Sequence, residues 1–178
     1  DMAAFVDELL VAGAFDHAIP VVAELAAAVT RPKALAPDEC RRALESIATS
    51  NALMEAVTGL AELPADEFKS FSAIVLSLGA SAVPALLAAY QREDGGVAAD
   101  RASALILKMG PAAIPGLASA VDDQRWFVQR ELARLLGQLG TGQAIAPLQV
   151  LLRRPDTRVM HAAVSSLARI DDPAAARA

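Results

Sequence analysis

The sequence predicts an all-α fold, a right-handed α-solenoid of stacked helix pairs. Three observations lead to this prediction. Apolar residues recur with the period of a helix, similar residues return every 31 positions, and glycine or proline marks the ends of the periodic segments. The composition agrees, because the 178-residue chain is 54% hydrophobic but only 4% aromatic. Alanine and leucine supply most of the apolar content, which favours closely packed helices over sheets.

Residues 125–154 form the clearest helix pair. In the first half, apolar residues fall at i, i+4, i+7, i+8 and i+11, which places them on one face of a helix. The sequence Gly140-Thr141-Gly142 interrupts this pattern, and a second amphipathic helix follows. Neither helix can bury its apolar face without neighbours on both sides. The two faces consist of Val128, Leu132, Leu135, Leu136 and Leu139, and of Ile145, Leu148, Leu151 and Leu152.

The same pattern returns at a spacing of 31 residues. Glycine follows the last apolar residue of three first helices, where it accepts a left-handed C-cap conformation. Pro84 and Pro115 then fall in the first turn of the second helix, where a missing backbone N–H costs no hydrogen bond. Pro20 and Pro147 have the same interpretation. The repeated columns are Ala82, Ala113 and Ala144; Val83, Ile114 and Ile145; Leu86, Leu117 and Leu148; and Tyr90, Val121 and Leu152.

Six successive units are predicted along the chain, within one solenoid domain. Asp16 is the predicted N-cap of the second helix, and Pro37 opens the third helix with carboxylates in its first turn. Residues 30–37 are the predicted linker. The sixth unit lacks most of its second helix, so we expect a fragment of a longer chain whose C-terminal end can self-associate. The predicted units are residues 2–30, 37–63, 65–92, 97–122, 125–154 and 157–178.

The C-terminal units resemble a known family of helical repeats. The residues that carry the likeness are Val128-Gln129-Arg130 through Leu136-Gly137, then Leu139-Gly140, Ala144-Ile145 and Pro155-Asp156. They are similar to HEAT repeats of the bacterial phycobilin-lyase-like type. The resemblance implies a stack of helix pairs without implying an activity. That family usually carries arginine where Gln129 and Met160 stand, so an Asp–Arg ladder between repeats would be incomplete here.

Residues 70–91 raise the question of a membrane span, because these 22 residues contain no charge. Gly79 and Pro84 divide the run into two helices in register with the neighbouring repeats. We therefore predict a buried helix pair and no membrane partner. The single Cys40 cannot form an intramolecular disulfide, and the N-terminus has no basic segment typical of a signal peptide, which together favour a cytoplasmic location.

The motifs of common active sites do not occur in the sequence. The two histidines, His17 and His161, lie in different units, and no cysteine and histidine spacing suits zinc. There is no Gly-x-Ser-x-Gly motif, and Gly137-Gln138-Leu139-Gly140-Thr141-Gly142 follows no predicted strand, as a phosphate-binding loop would. We therefore predict that the protein is not an enzyme and holds no metal or cofactor.

Uneven charge gives the best indication of function. Residues 1–89 carry 5 basic and 12 acidic side chains, a net charge of −7, whereas residues 90–178 carry 11 and 9, a net charge of +2. Trp126 and Phe127 are two large aromatics beside this basic region, and interface hot spots are enriched in tryptophan and arginine. The residues predicted to bind a partner are Trp126, Arg130, Arg153, Arg154 and Arg158.

The sequence leaves several functions open. The first is a protein–protein interaction scaffold that binds an acidic or helical partner through the basic C-terminal face or a concave groove. Small residues such as Ala85 and Gly116 would line that groove. The second is binding or repair of nucleic acid, which the pI near 5.0 and the net charge of −5 argue against. By resemblance alone, a third is a lyase-like role on a bilin chromophore.

Overall fold

The computed structural model describes residues 1–31, 36–172 and 174–175. These residues are helical with short connections and contain no strand, which confirms the predicted α-solenoid. The α-helices are α1 (Met2–Val11), α2 (Phe15–Thr30), α3 (Pro37–Ala48), α4 (Asn51–Thr58), α5 (Ala65–Leu78), α6 (Val83–Leu86), α7 (Val97–Met109), α8 (Ile114–Ser119), α9 (Trp126–Leu139), α10 (Ile145–Leu152) and α11 (Thr157–Leu167).

The helices pack in two layers along the stack. In one layer α5, α7, α9 and α11 each contact the next, and in the other α4, α6 and α8 follow one another, with α10 packing against α9 and α11. At the N-terminus α2 packs against α3 and α5, while α1 packs against α2, α3 and α4. The buried apolar residues form one continuous cluster from Ala3 to Ala175. Each helix pair therefore depends on its neighbours to cover its apolar face.

The second helices α6, α8 and α10 are short, and a 3₁₀ turn precedes each of them. Pro84 and Pro115 lie in the first turns of α6 and α8, as predicted. The preceding 3₁₀ segments, Gly79–Ala82 and Gly110–Ala113, begin at glycines with φ angles of 61° and 65°. Side chains other than glycine rarely adopt this left-handed backbone, so the two glycines allow the sharp reversal between first and second helices.

The second helix begins earlier than predicted. Ala14, rather than Asp16, is the N-cap of α2, and Asp16 lies in the first turn, where its Oδ1 accepts a hydrogen bond from Ser70. Pro20 lies inside this helix, so its interpretation as a first-turn proline is wrong. The reason is tertiary: Phe15 is 4% exposed and packs edge-to-face on Phe71 with ring centroids 5.5 Å apart. Burial of this ring extends the helix upstream.

Two predicted features lie partly outside the described residues. Four residues of the predicted linker at 30–37 are not described, and neither is most of the segment after Asp172 that would complete the sixth unit. The division of the chain into six units, with the boundaries given above, stays a prediction.

Two apolar runs, Ala65–Ala89 and Val97–Ser119, are long and apolar enough to cross a membrane by length and composition. In the structure each is broken by a glycine with a left-handed backbone, and 56% and 44% of their apolar windows are buried in the protein. The core of a solenoid accounts for both runs, and the lack of a membrane partner stays a prediction.

The proposed groove of small residues is partly a packing contact. Ala85 is 4% exposed, and Gly116 is buried against the preceding pair. A Cβ atom added at Gly116 would lie 2.4 Å from the Ala80 carbonyl oxygen and 2.6 Å from Val83 Cβ. These small side chains therefore allow α6 and α8 to approach closely, and this column does not line an open groove.

Candidate protein-binding edge

The loops that join successive helix pairs contact one another along one edge of the stack. The Arg125 guanidinium donates to the Tyr90 carbonyl oxygen at 2.9 Å, and that of Arg154 donates to the Val121 carbonyl oxygen at 2.9 Å. Tyr90 and Val121 occupy the same position of the 31-residue repeat. An arginine from each of these loops thus satisfies a backbone carbonyl at the end of the preceding helix pair.

Arg154 has a structural role in this arrangement. Its side chain is 27% exposed, and it also forms an ion pair with Asp122. Arg125 forms an ion pair with Asp123 at 2.7 Å. Burial raises the pKa of Asp123, but hydrogen bonds from the Arg125 side chain and amide outweigh it, so the pKa is lowered. These ion pairs hold the loops together, so the charges of Arg125 and Arg154 are already partly neutralised within the chain.

Trp126 is the centre of a cluster of cations. The Arg158 Cζ atom lies 3.2 Å from the centroid of the indole ring and the Arg130 Cζ atom lies 5.1 Å from it. Phe127 packs edge-to-face against the indole with centroids 6.0 Å apart. The distances from Arg158 and Arg130 to the indole ring are both within the range of attractive cation–π contacts. We refer to Trp126, Arg130 and Arg158 as the tryptophan cluster.

The guanidinium of Arg158 is shared between two carboxylates. It pairs with Asp156 at 2.8 Å and lies 3.7 Å from Glu93 Oε1. The hydrogen bonds from Arg158 lower the pKa of Asp156 to about 2. Asp156 also caps α11 by accepting from the Arg158 amide. Arg158 is therefore partly neutralised, while Arg130 has no carboxylate within 4.0 Å among the described residues.

Arg153 is exposed at the C-terminal end of α10. Within the described part of the chain its side chain makes no hydrogen bond and no ion pair. The structure thus brings Trp126, Arg130 and Arg158 together, gives Arg154 a loop-bridging role, and leaves Arg153 in solvent on the adjacent loop. The partner-binding role of all five stays a prediction.

The sequence prediction missed Glu93 and a buried polar network beside it. The Tyr90 hydroxyl hydrogen-bonds to Ser103, Ser103 donates to Glu131 Oε1 at 3.2 Å, and Arg134 pairs with Glu131. These residues line a cavity of about 290 Å³. The sequence contained one signal of this network, because Tyr90 stands at a repeat position that Val121 and Leu152 occupy in the later units. A hydroxyl at an aliphatic position requires a buried partner.

Gln129, which stands where the resembled family usually carries arginine, makes a contact with the loop that precedes its helix. Gln129 is 9% exposed, and its side-chain amide donates to the Asp123 carbonyl oxygen at 2.6 Å. Arg125 forms an ion pair with the carboxylate of the same Asp123. The chain therefore retains contacts within the loop without an arginine at position 129. No set of three His, Cys, Asp or Glu side chains suited to a metal ion occurs in the described residues.

Comparison with known proteins supports the repeat assignment. The family model of HEAT repeats matches residues 114–178, which include the edge just described. Residues 114–178 are therefore similar to HEAT repeats. The phycobilin-lyase-like type of HEAT repeat is not established by this match. No curated protein gives a significant match to the sequence.

Two solved structures are similar to this chain along most of its length. Human deoxyhypusine hydroxylase in complex with glycerol is 18% identical, with a TM-score of 0.43 over 97% of this chain and 70% of that one. An engineered protein is 21% identical, with a TM-score of 0.38 over 96% of this chain and 79% of that one. The prediction that this chain is not an enzyme is contradicted by the first, a hydroxylase. At this identity and TM-score the likeness transfers no activity.

Proposed function

We propose that this HEAT-repeat chain binds a protein partner and that an acidic segment of the partner docks on the tryptophan cluster and Arg153. The observation that carries this proposal is the position of Trp126, half-buried, with two guanidinium groups at 3.2 and 5.1 Å from its ring. Tryptophan and arginine are the residue types that most often dominate the energy of protein interfaces.

The arrangement lowers the entropic cost of binding. Arginine side chains lose conformational freedom when a ligand immobilises them, and this loss opposes association. Contact with the indole already restricts Arg130 and Arg158. Their planar guanidinium groups also match the geometry of a carboxylate, which can accept two parallel hydrogen bonds. An acidic side chain is therefore the ligand group that this surface suits best.

Helix stabilisation explains some of the same arginines. A cation at the C-terminal end of α10 is favourable because the helix dipole is negative there, which accounts for Arg153 without a partner. The contacts of Arg154 with Val121 and Asp122 account for that residue too. Neither argument applies to Arg130, which lies in the second turn of α9 and faces Trp126.

The other functions receive less support from this surface. Five carboxylates, Glu93, Asp94, Asp122, Asp123 and Asp156, stand among the arginines of these loops and would repel phosphates. A lyase-like role on a bilin, and the corresponding family type, stay hypotheses that rest on the sequence resemblance.

The proposal can be tested with the fluorescence of Trp126, because it is the only tryptophan in the chain. The protein is titrated with an extended glutamate-rich peptide, and with a lysine-rich peptide of equal length as a control. We expect the emission of Trp126 to change with the acidic peptide only, and the affinity to fall as salt is added, because screening weakens charge contacts.

Variants then locate the site. Arg130→Gln combined with Arg158→Gln should weaken binding about tenfold or more. The matched control is Arg41→Gln combined with Arg42→Gln, which removes the same charge from the exposed surface of α3. Arg154 is not substituted, because loss of its loop contacts would destabilise the fold and an effect on binding could not be separated from that. Equal loss in both double variants, or no response of Trp126 to the acidic peptide, would overturn the proposal.

A further inference from the structure

Glu93 already contacts the tryptophan cluster from within the chain. Its Oε1 lies 3.7 Å from Nη1 of Arg158, and its backbone carbonyl accepts a hydrogen bond from Nη2 of Arg130 at 3.1 Å. The same two guanidinium groups lie against Trp126. One acidic residue of the loop at 91–96 thus presents both a carboxylate and a carbonyl oxygen to the two cations.

The side chain of Glu93 is held weakly. A distance of 3.7 Å is too long for a direct hydrogen bond, and the side chains of Arg158 and Glu93 are 51% and 63% exposed. Ion pairs this exposed contribute little net free energy because water and salt screen them. Gly95 and Gly96 follow with φ angles of 74° and 126°, so the loop leaves the cluster through two residues that adopt unusual backbone conformations readily.

The anchorage of the loop does not depend on the Glu93 carboxylate. At its start, the Tyr90 carbonyl oxygen accepts from Arg125, and the Tyr90 hydroxyl hydrogen-bonds to the buried Ser103. The carboxylate of Glu93 could therefore leave the cluster while these contacts persist. The Glu93 carboxylate contributes little to the fold, yet it lies beside Arg158, where the carboxylate of a bound partner would lie.

We infer that the loop at 91–96 is an internal acidic ligand of the tryptophan cluster, which an acidic segment of the partner displaces. This inference rests on the proposed function, and it specifies the partner: an extended segment that places a carboxylate near Arg158 and a backbone carbonyl near Arg130. Because Glu93 is tethered, its effective concentration is high even though its contact is weak. Glu93 therefore weakens non-specific binding of acidic peptides to the free protein. A partner has to form more contacts with the tryptophan cluster than Glu93 does in order to displace it.

The test compares Glu93→Gln with Asp94→Asn, which removes the same charge from the adjacent residue. The probe is again the glutamate-rich peptide, with binding followed by Trp126 fluorescence. Glu93→Gln should tighten binding about threefold or more, with the largest gain at low salt. Asp94→Asn should leave the affinity close to that of the wild type, because Asp94 pairs with Arg92 and not with the cluster.

A second measurement needs no peptide. Iodide quenching of Trp126 should increase in Glu93→Gln more than in Asp94→Asn, while quenching by neutral acrylamide stays similar in both. If the acidic peptide binds the wild type and the arginine double variant abolishes this binding, but Glu93→Gln changes neither affinity nor quenching, the inference is wrong and the proposed function stands. If no variant binds the peptide, both are wrong.

Discussion

Tyr90 shows how a single side chain can depart from its repeat at low cost. It is 5% exposed, and its hydroxyl reaches Ser103 on α7, which in turn donates to Glu131 on α9. The column position supplies the burial, and the two neighbouring first helices supply the hydrogen-bond partners. A buried hydroxyl without such partners would cost about 1–3 kcal/mol.

The ionisation of Tyr90 leads to a prediction about alkaline stability. Burial, and secondly the negative charge of Glu131, raise the pKa of Tyr90 above its ordinary value of about 10. A group whose pKa is raised by folding stabilises the protein below its unfolded pKa, and this contribution is lost as the pH rises further. We therefore expect the free energy of unfolding to fall above about pH 10, and the Tyr90→Phe variant to show a smaller fall.

Urea unfolding at about pH 7 and about pH 11 measures this difference. At neutral pH, Tyr90→Phe should cost roughly 1 kcal/mol through the lost hydrogen bond. Ser103→Ala serves as the control, because it removes the same bond but keeps the titrating group, so its alkaline loss should persist. Since Tyr90 is the only tyrosine, tyrosinate absorbance reports its ionisation directly. Ionisation in the native protein at the ordinary pKa would contradict the prediction.

The packing of neighbouring helices depends on small residues at their crossing points. Gly137 on α9 lies against Ser166 on α11, which is 3% exposed. A Cβ atom at position 137 would lie 2.4 Å from the Ser166 Cβ and Oγ atoms and 2.8 Å from its Cα atom. Real Cβ atoms do not approach so closely, so one of the two helices would have to move. The contact between these first helices therefore requires glycine for space, not for backbone conformation.

Gly137→Ala is expected to destabilise the protein by about 1–3 kcal/mol through overpacking between α9 and α11. Gly59→Ala is the matched control: it has an ordinary backbone, and its new Cβ would meet only two carbonyl oxygens at 3.7 Å. That substitution should leave stability within about 0.5 kcal/mol or raise it, because alanine restricts the unfolded chain. Chemical denaturation of both variants decides the matter, and a neutral Gly137→Ala would show that the helices can separate freely.

The stack as a whole should unfold in parts, because most contacts join helix pairs that are adjacent or, as with α2 and α5, one pair further along the stack. α1 packs against α2, α3 and α4, whereas Trp126 lies near the other end on α9. In such arrays stability is approximately a sum of contributions from repeats and from the interfaces between them. Two probes at different places in the stack can then report different transitions.

Val6→Ala tests this property, because Val6 is fully buried in α1 and its truncation should cost roughly 2 kcal/mol locally. Helix loss followed by circular dichroism should begin at lower urea, while the midpoint followed by Trp126 fluorescence should move much less. Val128→Ala, equally buried but next to Trp126, should lower the fluorescence midpoint instead. Coincident shifts of both signals in Val6→Ala would show that the chain unfolds as one cooperative unit.

The sequence by itself determined the repeat, the helical faces and the positions of the turn residues. These features depend on local periodicity: an apolar residue every third or fourth position lies on one helix face whatever surrounds it. The first-turn positions of Pro84 and Pro115 were predictable for the same reason. The extent of the second helices was not, because 3₁₀ and α turns place residues i and i+3 on nearly the same face.

Only the tertiary structure decided which charges meet. Arg130 and Glu93 are 37 residues apart, and Arg154 and Val121 are 33 apart, so their contacts depend on how one helix pair is offset on the next. No local pattern in the sequence encodes this offset, which follows from close packing at positions such as Gly116 and Gly137. For that reason the arginines and Trp126 were recognisable as candidates from sequence, whereas the bridging role of Arg154 and the position of Glu93 on the cluster were not.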